Sequence, residues 1–375
     1  MKRHRIEPRP DWVPQVEALG LIYHHTGDLL YWNEAAYYAV TPDEVDAIER
    51  ATAELRALAL AAVEHVIERR RYPELSIPAH AIPLIEASWN GEAPSIYGRF
   101  DLALTADGPK LLEYNADTPT ILLEAAVVQW AWKEARFPAA DQYNSIHEKL
   151  IAKWTDLVPH VQQPVYLVAL DVPEDLMTVT YLADTAQQAG LEIERLRVQD
   201  VGYAPSRGFT DLQERTIRTI FKLYPWEWLL AEEFGRNILP DDAQWIEPAW
   251  KMILSNKGIL PILWELNEGH PNLLRSSWKE LSRAPRGWVK KPLLGREGDN
   301  IDIHRAGAAP VIMPGRYADN RFIYQDYAEL PTFDGQTAVV GSWEIDGEPA
   351  GIGIRESPGP VTVNSSPFVP HIIRD

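Results

Sequence analysis

The tightest constraint on this chain is one short stretch in its first third. Gly98-Arg99-Phe100-Asp101 is followed by the turn Ala106-Asp107-Gly108 and then by Leu111-Leu112-Glu113-Tyr114-Asn115-Ala116-Asp117. Two strand-like runs, Tyr97 to Leu104 and Lys110 to Asn115, flank a three-residue loop that ends in glycine. They predict a β-hairpin, because glycine takes the left-handed backbone without a Cβ clash. With Thr105 facing Pro109, Asp101 falls opposite Glu113 and Arg99 opposite Asn115. Side chains alternate faces along a strand, so these four share one face. Directly opposed carboxylates repel and would weaken the pairing. Either Arg99 screens them on a solvated face, or a divalent cation lies between them. Asp, Glu and Asn supply the hard oxygens that magnesium takes when phosphate oxygens complete its shell. The register leaves both readings open.

The rest of the chain supplies the scaffold. Thr41-Pro42-Asp43-Glu44 opens a helix, with Thr41 as cap, Pro42 in the first turn and Glu44 closing a capping box. Val45, Ile48, Leu55, Leu58, Ala62, Val66 and Ile67 then recur at helical spacing as far as Arg69-Arg70-Arg71. A helix is predicted over 121–135. A strand over 164–171, a helix over 173–190 and a strand over 191–198 form a strand–helix–strand unit with parallel strands, and 216–223 is a further strand. Trp288 to Pro292 reads as a strand entering a glycine loop, and 321–327, 336–345 and 350–355 read as antiparallel strands. The expected class is α/β with added antiparallel sheets. Three lobes are expected: residues 1–160 with the hairpin, 161–245 as an α/β lobe, and 246–375 with the glycine loop.

Composition narrows the chemistry. The 375 residues include no cysteine, which excludes disulfides, thiolate metal sites and thiol nucleophiles. With 36 Lys and Arg against 54 Asp and Glu, the formal charge of −18 opposes nucleic acid and anionic membranes and favours cationic small molecules. The basic start runs into Pro8 and Pro10 rather than an apolar segment, and no run reaches the roughly 18 apolar residues of a membrane span. A cytoplasmic protein is expected.

Two lysines stand out. Lys257 precedes the apolar run Gly258-Ile259-Leu260-Pro261-Ile262-Leu263-Trp264, and Lys291 ends a strand before the loop Gly295-Arg296-Glu297-Gly298-Asp299-Asn300. A strand-end lysine and a glycine-rich loop can cradle phosphates through an ammonium and backbone N–H groups. Taken singly, each lysine is more often a surface residue. Neither a Walker A sequence nor the dinucleotide fingerprint is present.

Taken together, five ordered blocks resemble the synthetase domain of glutathionylspermidine synthase and its stand-alone relatives, a branch of the ATP-grasp ligases. They are Gly98 to Asp101, Glu113 to Thr118, Glu247 to Trp264, Val289 to Ile301, and Gly351 to Arg355, and they span essentially the whole chain. The resemblance implies an ATP-grasp fold with permuted motif order, the metal hairpin preceding the nucleotide lysines. The implied activity is an ADP-forming ligase that joins a carboxylate to an amine through an acyl phosphate, using ATP and two magnesium ions. Asp101, Glu113 and Asn115 would hold metal, and Arg99 would stabilise the transferring phosphoryl group. Lys257 and Lys291 would bind ATP phosphates, with Gly295, Arg296 and Gly298 in a lid and Gln325 on the strand that meets adenine. Thr118 and Thr120 would lie near the acid substrate, and Arg355 would receive its carboxylate. Glu174 and Asp175 match an acidic pair near the substrates, although a helix N-terminus favours acids there regardless.

Two departures are visible. The amidase domain of bifunctional members, with its cysteine nucleophile, is not expected beside these cysteine-free 375 residues, and Ser366-Pro367 stands where the family has an acid that helps hold spermidine. The substrates implied are a peptide-like acid and an amine of polyamine type. A non-catalytic nucleotide or polyamine sensor would keep the fold and bind ATP without releasing ADP. A carbohydrate-active protein would use the 14 tryptophans and paired acids, but directly opposed hairpin residues stand only about 5 Å apart at Cβ. Trp130, Trp132 and Trp264 lie in apolar runs and are expected in the core.

Overall fold

The Thr41 hydroxyl accepts from the Glu44 N–H while the Glu44 carboxylate accepts from the Thr41 N–H, so the predicted capping box starts a helix over Pro42–Glu68. In the computed structural model, which describes residues 1–240, 242–318 and 321–374, this helix lies across the main sheet. Its buried stripe includes Val45, Ile48, Leu55, Ala62 and Val66, with Ala51, Ala59 and Val63 filling the remaining turns. Leu58 and Ile67 sit at the margin, partly buried against the same core.

The main sheet is antiparallel. In spatial order it comprises Phe368–Val369, Glu348–Ser357, Gln336–Ile345, Tyr97–Thr105 and Gly108–Asn115, and Thr332–Phe333 also pairs with Gln336–Ile345. The hairpin therefore shares a sheet with strands more than two hundred residues downstream. Gly341 pairs with Asp101 and Trp343 with Arg99. A Cβ at Gly341 would stand 2.8 Å from Arg99 Cδ, so the missing side chain opens the path along which Arg99 runs.

The second sheet is parallel and places Val165–Ala169 between Thr219–Leu223 and Ile193–Arg197, with Gln244–Ile246 at its edge. The helix Pro173–Gln188 makes the crossover between two of these strands, as the strand–helix–strand reading expects. A third, antiparallel sheet joins Ser276–Ser277, Phe322–Asp326, Gly287–Pro292, Asp302–Arg305 and Val311–Ile312. The fold class expected from sequence is the one observed.

Three features depart from expectation. Lys2–Arg5 pairs with Ala36–Val40, and His371–Ile373 pairs with the other edge of that strand, so both ends of the chain meet in one sheet. The helix after the hairpin contains a π turn at Glu124–Val128 before its α part, Gln129–Arg136. Trp132 is fully buried and Trp264 partly so, whereas Trp130 is 39% exposed, with the Lys133 ammonium over its ring 3.9 Å from the centroid. Burying the i+2 neighbour turns Trp130 outward, because two positions on a helix lie on different faces. Among the described residues, no helix is long and apolar enough to cross a membrane.

Candidate active site

The hairpin closes more tightly than predicted. Thr105 pairs with Gly108, whose φ of 89° supplies the left-handed turn, and not with Pro109. A bulge at Leu112 then takes up one residue, and beyond it Asp101 faces Glu113 and Arg99 faces Asn115, as expected. The bulge also turns two backbone carbonyls to account. Leu112 O accepts from Lys291 Nζ at 2.8 Å, and Leu111 O accepts from Gln325 Nε2 at 3.1 Å.

The opposed acids are separated by protein groups. Arg99 donates to both Asp101 oxygens at 2.6 and 3.0 Å. Lys257 Nζ lies 2.9 Å from Glu113 Oε2, and the Asn115 amide donates to Asp101 at 3.2 Å and to Glu113 at 3.3 Å. Burial lifts the Asp101 carboxyl above its ordinary value, with Arg99 opposing. At Glu113 burial pushes the same way, but Lys257 and Lys291 outweigh it and hold the carboxyl at about 2.

Both lysines are buried, against the surface reading open to each alone: Lys257 is 9% exposed and Lys291 6%. Lys257 Nζ also donates to Gly295 O at 2.6 Å, which joins the hairpin to the glycine loop at one ammonium. Lys291 donates to Gln325 Oε1 at 2.7 Å, and burial draws its ammonium down to about 8 although Glu113 pulls the other way. Gly298, at φ 78°, packs against the loop near Thr362.

The other end of the cleft is assembled from distant segments. Thr118 and Thr120 follow the hairpin, and Glu174 and Asp175 lie in the first turn of Pro173–Gln188. Thr120 Oγ1 donates to Glu174 Oε1 at 2.7 Å. Burial and the Glu174 charge raise the Asp175 carboxyl to about 7, with Arg296 opposing. Arg355 donates to the carbonyls of Val363, Asn364 and Ser366, so it braces the 360–366 loop from below. Every residue named from the sequence as a candidate metal, nucleotide, substrate or phosphoryl contact borders one cavity of about 620 Å³.

Some groups at the site were missed. Glu227 and Trp228 line the cavity and hold Arg296; their setting, Tyr224-Pro225-Trp226-Glu227-Trp228, carries an aromatic signal that reads as core. Asp117 is buried in an ion pair with Lys222 at 2.6 Å and fixes the Trp226 N–H at 3.0 Å. Asp101, Glu113 and Asn115 offer the hard oxygen donors magnesium takes, but only two are anionic. Among the described residues no group of three or more His, Cys, Asp or Glu could hold a metal. Such a donor set fits an ion that arrives with phosphate oxygens rather than a stand-alone metal centre.

The chain is similar over most of its length to several known proteins. A Haemophilus influenzae protein provisionally named an acid–amine ligase is 40% identical over 380 residues, covering 97% of each chain. The trypanothione synthetase of Crithidia fasciculata is 29% identical over 329 residues, covering 78% of this chain; the match spans about half, 49%, of that longer protein. A glutathione-synthetase-like effector of Globodera pallida shares the fold over 98% of each chain with a TM-score of 0.56 at 9% identity. The profile of the glutathionylspermidine synthase pre-ATP-grasp family matches residues 3–374, and the chain belongs to that family.

Proposed function

We propose that the protein is an ATP-dependent ligase that joins a small peptide-like or amino-acid carboxylate to an amine of polyamine type, releasing ADP and phosphate. The observation that carries this reading is the Lys257 ammonium, which meets both the Glu113 carboxylate and the Gly295 carbonyl. A cation placed between an acidic hairpin and a glycine loop suits the phosphate chain of a nucleotide.

A carboxylate is a poor electrophile, and transfer of the γ-phosphoryl group to it creates an acyl phosphate with a good leaving group. Bound magnesium would supply charge neutralisation on phosphate oxygens, held by Asp101, Glu113 and Asn115. Arg99 lies beside that set and stabilises charge on the transferring group, while Lys257 and Lys291 exchange their internal partners for phosphate oxygens. Gly295 and Gly298 let the loop backbone approach the phosphates. Gln325 and the apolar side chains of Val289, Ile303 and Val339 line the end suited to a purine base.

At the far end Thr118, Thr120 and Arg355 face the acid substrate. Glu174 and Asp175 attract the cationic amine and accept its proton, which must leave before nitrogen attacks the acyl carbon. The amine nitrogen loses two protons, one before attack and one as the tetrahedral adduct collapses, and the C–N bond forms as the acyl C–O bond to the departing phosphate breaks.

The test is ADP release by the full chain over matrices of amines and small peptides, with magnesium and ATP. Turnover that requires both an acid and an amine, and that vanishes in Asp101→Ala, is the expected result. Nucleotide binding without turnover across an extensive matrix would favour a sensor instead.

A further inference from the structure

We infer that Glu227 is the positioning residue for Arg296, and that it sets the place of this lid arginine over the cleft. Arg296 sits on the Gly295–Gly298 loop, where two glycines leave the backbone little power to aim a long side chain. Its guanidinium is held from elsewhere. Nη2 donates to Glu227 Oε1 at 2.6 Å, Nη1 donates to Thr118 Oγ1 at 3.1 Å, and the group lies 5.4 Å from the centroid of the Trp228 ring. Its Nε is buried without a partner. The Glu227 ion pair is therefore the one charged contact that fixes the arginine among the described residues, and the hydroxyl bond and ring contact are weaker.

Glu227 is itself rigidly placed. It lies in the short helix Trp226–Leu229, whose first N–H donates to Asp117 Oδ2 at 3.0 Å. The indole N–H of Trp226 donates to Glu247 O at 3.0 Å. Asp117 accepts from Lys222 Nζ at 2.6 Å and immediately precedes Thr118. Both supports of Arg296 thus originate at one buried carboxylate, two residues beyond Asn115 of the hairpin. The arginine is registered to the hairpin through Asp117 and Glu227 instead of through its own loop. Glu227 acts through Arg296 and need not touch the reacting atoms.

Glu227→Gln tests this because it keeps shape and removes charge. The first readout is phenylglyoxal labelling of Arg296 in the full chain, followed by peptide mass spectrometry. Arg316, 65% exposed, serves as the internal reference. Losing a charged hydrogen bond should raise the Arg296:Arg316 labelling ratio at least about fivefold, with Glu227→Asp restoring most of the protection. The kinetic readout rests on the ligase reading: kcat should fall at least about tenfold while KM for ATP moves less than about threefold. In an Arg296→Ala background, adding Glu227→Gln should cost no more than about twofold further. Unchanged labelling in Glu227→Gln overturns the proposal, and so do losses that multiply in the double variant. Labelling needs no substrate. A labelling contrast in a chain that never releases ADP would sink the ligase reading while supporting the Glu227 role.

Discussion

The two ends of the cleft solve the burial of charge in opposite ways. At the hairpin end every carboxylate has a cation beside it: Asp101 has Arg99, and Glu113 has Lys257 with Lys291 nearby, so Glu113 stays ionised down to about 2. At the far end, Glu174 and Asp175 are adjacent, and burial plus mutual repulsion lifts Asp175 to about 7. The first end is balanced without a ligand and, on the proposed reading, would exchange partners when phosphates enter. The second carries unbalanced negative charge, which a cationic amine would neutralise. On the proposed reading one cleft would receive a polyanion at one end and a cation at the other, although the chain as a whole carries −18.

The largest effect that could break this contrast lies at the balanced end. Glu113→Ala should leave the Lys257 charge without its partner and reduce ADP formation by about 1,000-fold, as removal of groups that act on a developing phosphoryl charge does. A loss under tenfold would mean that the hairpin is not the phosphoryl site. The frame behind both ends comes next. Asp117 and Lys222 are 1% and 2% exposed, and breaking a buried pair from one side costs about 3–5 kcal/mol, so Lys222→Met should lower the unfolding free energy in urea by that amount. Replacing both partners should recover much of the loss.

At the unbalanced end the effects are smaller and depend on pH. Ordinary aspartate ionises near 3.8, and Asp175 does so at about 7, so its charge is present above neutrality and lost below it. KM for the amine should rise as pH falls through 7, by about tenfold per unit at most, and Asp175→Asn should flatten that slope. The linked stability runs the other way. A raised folded value contributes stability that is complete below about pH 4 and lost as pH rises through about 7, so Asp175→Asn should raise Tm at pH 8 and not at pH 4. Smallest of all, Thr120→Val removes the 2.7 Å bond to Glu174 and should cost about fivefold in kcat/KM.

The same division separates what the sequence makes legible from what it hides. Hairpin strands repeat every two residues, so facing partners follow from short-range arithmetic, and Asp101 against Glu113 was legible. A closure one residue shorter than expected and a bulge at Leu112 offset each other, so the facing pair is the expected one. Bulges are invisible in a strand pattern when distant groups decide them, and here Leu112 and Leu111 give their carbonyls to Lys291 and Gln325. Lys257 and Lys291 could not be told from surface lysines because their partners lie far away in sequence. Only the order of blocks shared with a known family brought them to the hairpin. Glu227 escaped both routes, since its aromatic neighbours look like core and no motif marks it. The pairing of both chain ends beside Ala36–Val40 was equally hidden, because long-range strand partners leave no local trace.

The central claim, that the balanced end transfers a phosphoryl group to a carboxylate, is tested most directly with an acid substrate labelled by oxygen-18 in its carboxyl group. Transfer of one labelled oxygen to inorganic phosphate, with ADP and the amide formed in equal amounts, is the predicted result. Label appearing in AMP, with pyrophosphate released, would contradict it.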